Sequence, residues 1–79
     1  MSTKYDGKKL HKYLSATQAE YEVRGNLIYK YLSVTQAVYE IRNDEIYEYL
    51  KASPAVFEIR QGKYIHKAGS ATQAVYELR

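Results

Sequence analysis

The chain has 79 residues, enough for one small domain with a modest core, and no cysteine, which removes disulfide staples and thiolate zinc chemistry. Its formal charge of +3 is mild and owes much to Lys4, Lys8, Lys9 and Lys12, a local cluster of the kind that usually serves solvation. Ten tyrosines against one Phe and no Trp point to half-buried β surfaces and binding faces, because tyrosine joins apolar area to a hydroxyl that needs a partner.

From the N-terminus, "MSTKYDGKKLHKYL" holds no apolar run long enough for a signal peptide or a membrane span. The expectation is a soluble, cytoplasmic protein with no membrane partner. "DGK" at 6–8 is turn chemistry, and "KLHKYL" after it reads as a strand. The chain then repeats itself. "KYLSATQAEYEVR" (12–24), "KYLSVTQAVYEIR" (30–42), "EYLKASPAVFEIR" (48–60) and "KAGSATQAVYELR" (67–79) align without gaps, and their arginines, Arg24, Arg42, Arg60 and Arg79, are spaced by 18, 18 and 19 residues. A unit this short suits two strands and two turns, not a helical hairpin. The whole chain, 1–79, is therefore one domain of four repeats, at about 7–24, 25–42, 43–60 and 61–79.

Within each repeat the residues after the Thr-Gln pair alternate. Ala37, Tyr39 and Ile41 fall on one side, and Val38, Glu40 and Arg42 on the other. Tips follow at "GN" (25–26), "ND" (43–44) and "QGK" (61–63), then second strands "LIYKYL", "EIYEYL" and "YIHKAG". A three-residue tip around Gly62 accounts for the one spacing of 19. Ser33 to Gln36 has the form of a helix capping box, but a helix of about eight residues is marginal in water and the period here is two.

A two-residue loop at Asn43-Asp44 sets a register in which Ile41 faces Ile46, Tyr39 faces Glu48 and Ala37 faces Leu50, with Glu40 beside Tyr47 and Val38 beside Tyr49. The preceding hairpin then sets Val23 against Ile28 and Ala19 against Leu32. The expected core face holds Ala19, Ala37, Ala55 and Ala74, then Tyr21, Tyr39, Phe57 and Tyr76, then Val23, Ile41, Ile59 and Leu78. On this reading the first hairpin borrows its leading strand from "STKY", and "ATQAVYELR" ends the chain as an unpaired leading strand. An open apolar edge is an aggregation hazard. It is removed by closing the last strand beside the N-terminal hairpin, or by a homo-oligomer that exchanges residues 72–79. The fold expected is all-β, four tandem hairpins closed into a pseudo-fourfold barrel or flower.

The recurrent "IY" strand with its small polar loop, "IYKYLSVTQ" and "IYEYLKASP", followed by an apolar strand ending "EIR" before a Gly or Asn turn, resembles the four-fold β-flowers, a family of small bacterial proteins with four tandem hairpins about a pseudo-fourfold axis. The likeness covers nearly the whole chain. It departs in the loops, where "LSVT" and "LKAS" replace an expected Gly-containing loop, and it implies neither an activity nor functional residues.

Symmetry turns every repeated position into a ring. His11 and His66, at the places of Tyr29 and Tyr47, are weak candidates for a metal or anion seam, and the favoured alternative is that each is a flat half-exposed ring, since a third ligand at suitable spacing is lacking. Glu22, Glu40, Glu58 and Glu77 with Arg24, Arg42, Arg60 and Arg79 read as a cross-strand ion-pair ladder before a carboxylate cation site. Tyr13, Tyr29, Tyr31, Tyr47 and Tyr49, with Lys12 and Lys30, form the candidate binding surface, for a protein, a small ligand or a single-stranded nucleic acid, although plain cross-strand packing explains them too. Thr17-Gln18, Thr35-Gln36 and Thr72-Gln73, with Ser53-Pro54 in the third unit, suit loop bracing. No catalytic motif, metal or cofactor is implied. The reading is a non-enzymatic interaction or ligand-binding module. Deleting residues 72–79 is expected to abolish folding or assembly, as a loss of the β circular-dichroism signal or of the native solution mass would show.

Overall fold

The computed structural model describes residues 4–15, 18–33, 36–69 and 73–79. Eight strands form one closed antiparallel barrel: β1 (Lys9–Lys12), β2 (Tyr21–Arg24), β3 (Leu27–Lys30), β4 (Tyr39–Arg42), β5 (Glu45–Glu48), β6 (Phe57–Arg60), β7 (Tyr64–Lys67) and β8 (Tyr76–Leu78). The described residues hold no helix, and Tyr39–Arg42, which a helix capped at Ser33 would have included, form a strand. The molecule is a disc of 31 × 30 × 21 Å, as a fourfold ring of short hairpins requires.

The tips are set by local chemistry. Asn43 and Asp44 both take positive φ, the requirement of a type I′ turn, and Gly25 alone is positive at its tip, the pattern of a type II′ turn. Both turn types match strand twist. They fix the expected register, Ile41 against Ile46, Glu40 against Tyr47, Tyr39 against Glu48 and Val23 against Ile28. At the longer tip, Ile59 faces Ile65 and Arg60 faces Tyr64, so three residues turn the chain as expected.

Closure takes place within one chain. β8 pairs with β1 in the hairpin register, Leu78 opposite Leu10 and Glu77 opposite His11, and Arg79 and Lys9 exchange two backbone hydrogen bonds of 2.9 Å. The fourth hairpin is thus built from the two ends of the chain. Each hairpin contributes one facing aliphatic pair to the hub: Leu78 and Leu10, Val23 and Ile28, Ile41 and Ile46, Ile59 and Ile65, all buried. An eight-stranded barrel has an interior just wide enough for such side chains to fill.

Three expectations need correcting. Lys4 to Gly7 form turns, not a leading strand "STKY", of which Ser2 and Thr3 lie outside the described residues. Leu32 and Leu50 do not face Ala19 and Ala37 in a ladder: they sit in turns at φ +60° and are exposed, because the chain reverses just after β3 and β5. Ala55 is half-buried, while Ala19, Ala37 and Ala74 are buried as expected.

The N-terminal turns act as a strap across the tip end of the barrel. Gly7 N–H donates to the Val23 carbonyl, Val23 N–H to the Lys8 carbonyl, and Gly25 N–H to Asp6 Oδ1. This places Tyr5, 4% exposed, among the hub aliphatics, with its hydroxyl donating to Asp44 Oδ1 at 2.6 Å on the diagonally opposite tip. Tyr5→Ala is expected to cost about 3–5 kcal/mol, and Tyr5→Phe only about 0.5–1.5 kcal/mol, in urea unfolding. Equal losses would show that the hydrogen bond, not the plug, matters.

Candidate functional site

The two ends of the barrel differ. At the tip end a groove of about 640 Å³ is lined by Lys4, Tyr5, Asn26, Ile41, Arg42, Asn43 and Asp44. Its acid is already engaged: Asp44 accepts from Tyr5 and lies 3.3 Å from Lys4 Nζ, and the Tyr5 hydrogen bond leads in holding its carboxyl below the ordinary 3.8. This groove is the seat of the strap.

At the other end four aromatic rings close the hub. Tyr21, Tyr39, Phe57 and Tyr76 touch edge to face in a complete circle, with centroids 5.9, 5.7, 6.1 and 5.8 Å apart. Contacts of this geometry are worth about 0.5–1.5 kcal/mol each beyond burial. The wheel arises because one aromatic recurs at the first position of β2, β4, β6 and β8, on the core side of each. Each ring faces a residue across its hairpin: Lys30, Glu48, Lys67 and Lys12 respectively. Directly opposed residues share a sheet face, so these four groups rim the wheel. Lys12 lies 3.8 Å from Glu20, and Lys51, beyond the rim, 3.2 Å from Glu48. Both lysines remain largely exposed.

Immediately after the rim the chain reverses in matching turns. Ser15 N–H donates to the Lys12 carbonyl, Ser33 to Lys30 and Lys51 to Glu48, enclosing Tyr13-Leu14, Tyr31-Leu32 and Tyr49-Leu50. The second enclosed residue has φ +60° each time, and Gly69 at +73° holds the fourth equivalent place. Such a position belongs to Gly or Asn. The leucines are also 78%, 77% and 77% exposed, the largest exposures of big apolar residues among those described.

The outer wall carries the remaining candidates. Tyr29 and Tyr47 lie beneath guanidinium groups, Arg24 at 4.6 Å and Arg42 at 4.8 Å from the ring centroids. Tyr13 stands edge-on to Tyr64 at 5.8 Å. The tyrosines therefore line several hairpins around the wall: Tyr13, Tyr31 and Tyr49 follow Lys12, Lys30 and Glu48 in the chain at the wheel end, with the Tyr13 ring reaching Tyr64 on the wall, whereas Tyr29 and Tyr47 lie within their strands. His11 and His66 face Glu77 and Glu58 on β1 and β7, with β8 between them, so their strands are roughly 9.5 Å apart. Among the described residues no group of three His, Asp or Glu fits a metal.

The Glu-Arg pairs form, but along one strand instead of across two. Arg24 bonds Glu22 at 2.9 Å, Arg42 bonds Glu40 at 3.0 Å, Arg79 bonds Glu77 at 3.2 Å, and Arg60 bonds Glu58. Cross-strand space is taken by the Tyr or His opposite each Glu. Glu77 is also held at 3.2 Å by Lys63, whose hydrogen bond leads in lowering its carboxyl below the ordinary 4.5. Of the Thr-Gln pairs, Thr17, Thr35 and Thr72 lie outside the described residues, while Gln18, Gln36 and Gln73 are exposed. Sequence reasoning missed Tyr5, which stands outside the repeat, and the turn leucines, whose recurrence three times after "Y" was the available signal.

Comparison of the chain with protein-family models, curated proteins and solved structures found no match. Function must be argued from the barrel itself.

The wheel has a pH signature. Burial, more than its acidic and phenolic neighbours, pushes Tyr76 up to about 12 from the ordinary 10.0, and burial likewise raises Tyr39. The fold favours the neutral Tyr76 ring, so its contribution is whole below pH 10 and is lost as the pH climbs through about 12. Alkaline unfolding should coincide with the last phenolate step in an ultraviolet titration. Tyr76→Phe, which copies Phe57, should move that unfolding to higher pH; an unmoved midpoint counts against the wheel.

Proposed function

We propose that this protein is a non-catalytic binding module whose contact surface is the wheel end of the barrel. The observation that carries the proposal is the set of three exposed leucines at φ +60°. A non-Gly residue in the left-handed region costs about 1 kcal/mol, so three cost about 3 kcal/mol, against a total stability of about 4–12 kcal/mol for a chain of this size. Gly69 makes the equivalent turn without that cost. A strained and exposed leucine does nothing for the fold that a glycine or asparagine would not do better, and strain of this kind is characteristic of contact sites.

The closed ring of four hairpins supports, within the same proposal, the likeness to the four-fold β-flowers. Stacking of single-stranded nucleic acid on Tyr29 and Tyr47 has less support, because Arg24 and Arg42 already cover those rings. A metal or anion seam has less still, since β8 separates His11 from His66.

Replacing each leucine by asparagine, which tolerates positive φ, tests the reading. Leu14→Asn, Leu32→Asn and Leu50→Asn are each expected to leave thermal stability unchanged or to raise it by up to about 1 kcal/mol. If each lowers the melting temperature instead, the leucines serve the fold and the proposal fails.

A further inference from the structure

Resting on that reading, we infer that the wheel end docks on the surface of an anionic lipid bilayer, with Leu14, Leu32 and Leu50 entering the acyl boundary and Lys12, Lys30, Lys51 and Lys67 meeting the headgroups. The turn of each leucine follows directly on a rim lysine or on Glu48, at the end of β1, β3 or β5. Residues related by the barrel's pseudo-fourfold axis lie at one height. The three turns therefore form a single ring about the barrel axis, each enclosing one of Tyr13, Tyr31 and Tyr49 with its leucine. Aliphatic tips, half-buried tyrosines and lysines side by side are the composition that suits the boundary between headgroups and hydrocarbon.

Charge and symmetry choose this occupant over the others. Four lysines and two acids, Glu20 and Glu48, share the end, leaving it positive. A second copy placed face to face would bring two positive rims together. Single-stranded nucleic acid would match the charge, yet its bases stack on aromatic faces and gain little from aliphatic tips. A folded protein would have to reproduce the ring symmetry to meet three equivalent leucines at once. A bilayer surface is laterally uniform, and meets them all without any such match. The contact is peripheral: no helix among the described residues is long and apolar enough to cross a membrane, and the strands are of three or four residues, where a spanning strand needs about 9–11. Such docking departs from the expectation of no membrane partner, which rested on the lack of an apolar run long enough to span.

Co-sedimentation of the full chain with vesicles of phosphatidylcholine alone, and of phosphatidylcholine with phosphatidylserine, tests the inference. Binding should require phosphatidylserine and weaken with salt. Neutralising a lysine near the surface should weaken it about fivefold, so Lys12→Gln, Lys30→Gln and Lys67→Gln together should weaken it about a hundredfold. The combined Leu14→Asn, Leu32→Asn and Leu50→Asn protein, checked as folded by its melting temperature, should bind at least about tenfold more weakly. No pelleting with phosphatidylserine vesicles at low salt, or equal pelleting of the folded leucine variant, overturns the lipid assignment. So does tighter binding of an oligothymidine or of inorganic phosphate that the leucine variant retains, an outcome that leaves a binding module standing. Loss of stability in the leucine variants instead removes the contact surface itself.

Discussion

Strands of three or four residues cannot hold a core unless each has a neighbour on both sides, and the whole molecule depends on meeting that condition with so short a chain. The pairing of β8 with β1 supplies the last two neighbours, through Leu78 opposite Leu10 and the reciprocal Arg79–Lys9 hydrogen bonds. Without it the ring would expose two edges and open the hub beside Leu78 and Leu10. The seam is non-covalent, so its strength comes from the same register that the connected hairpins use. The strap adds to it, running from β1 past β2 to the far tip and placing Tyr5 over aliphatics from all four hairpins. One end of the hub is thereby sealed by a residue outside the repeat. The other is sealed by the repeat itself, through the wheel.

Closure about an axis also decides what repetition can mean. A position used four times becomes a ring, and a ring at the axis packs while a ring at the rim presents. The aliphatic pairs and the wheel are rings of the first kind. The turn leucines and rim lysines are of the second. The departures from symmetry are informative in the same terms: Phe57 shows that a wheel position does not need its hydroxyl, and Gly69 shows that a turn does not need its leucine. Glu48 stands where three lysines stand elsewhere, and is paired with Lys51, so the rim keeps its sign.

Much of this was legible from the residues. Alternation and turn chemistry sufficed for the register, because Asn-Asp and Gly-Asn admit few hairpin geometries and a slip of one residue would reverse every face. The surplus copy of the leading strand required a neighbour, from this chain or from a second copy, and β1 supplies it within the chain. What escaped has physical reasons. An apolar leucine in an apolar stretch reads as core, and only backbone dihedrals reveal that Leu32 and Leu50 have left the ladder. Tyr5 belongs to no repeat, so periodicity is silent about it. The Glu-Arg partners were found but their direction was not, since residues two apart on one strand and residues opposed on two strands lie at similar distances, and the bulk of Tyr29, Tyr47 and the two histidines decides between them.

The energetic weight of the turn leucines links the fold to the proposed contact surface. A barrel this small has little stability to spare, and three left-handed leucines take about 3 kcal/mol of it, comparable to the loss of a large core side chain. The hub can bear that cost because it is unusually complete: among the described residues no charged or polar side chain is buried in it, and its two ends are both closed by aromatic rings. Completeness at the axis is what allows strain at the rim. The same division explains why the most exposed large apolar side chains among the described residues stand at the rim, an arrangement that would be a liability in a flat sheet edge. In a closed ring there is no free edge for the leucines to recruit, and the lysines beside them oppose stacking of one ring on another. Under the proposed docking, apolar contact is thus left to a partner of opposite charge.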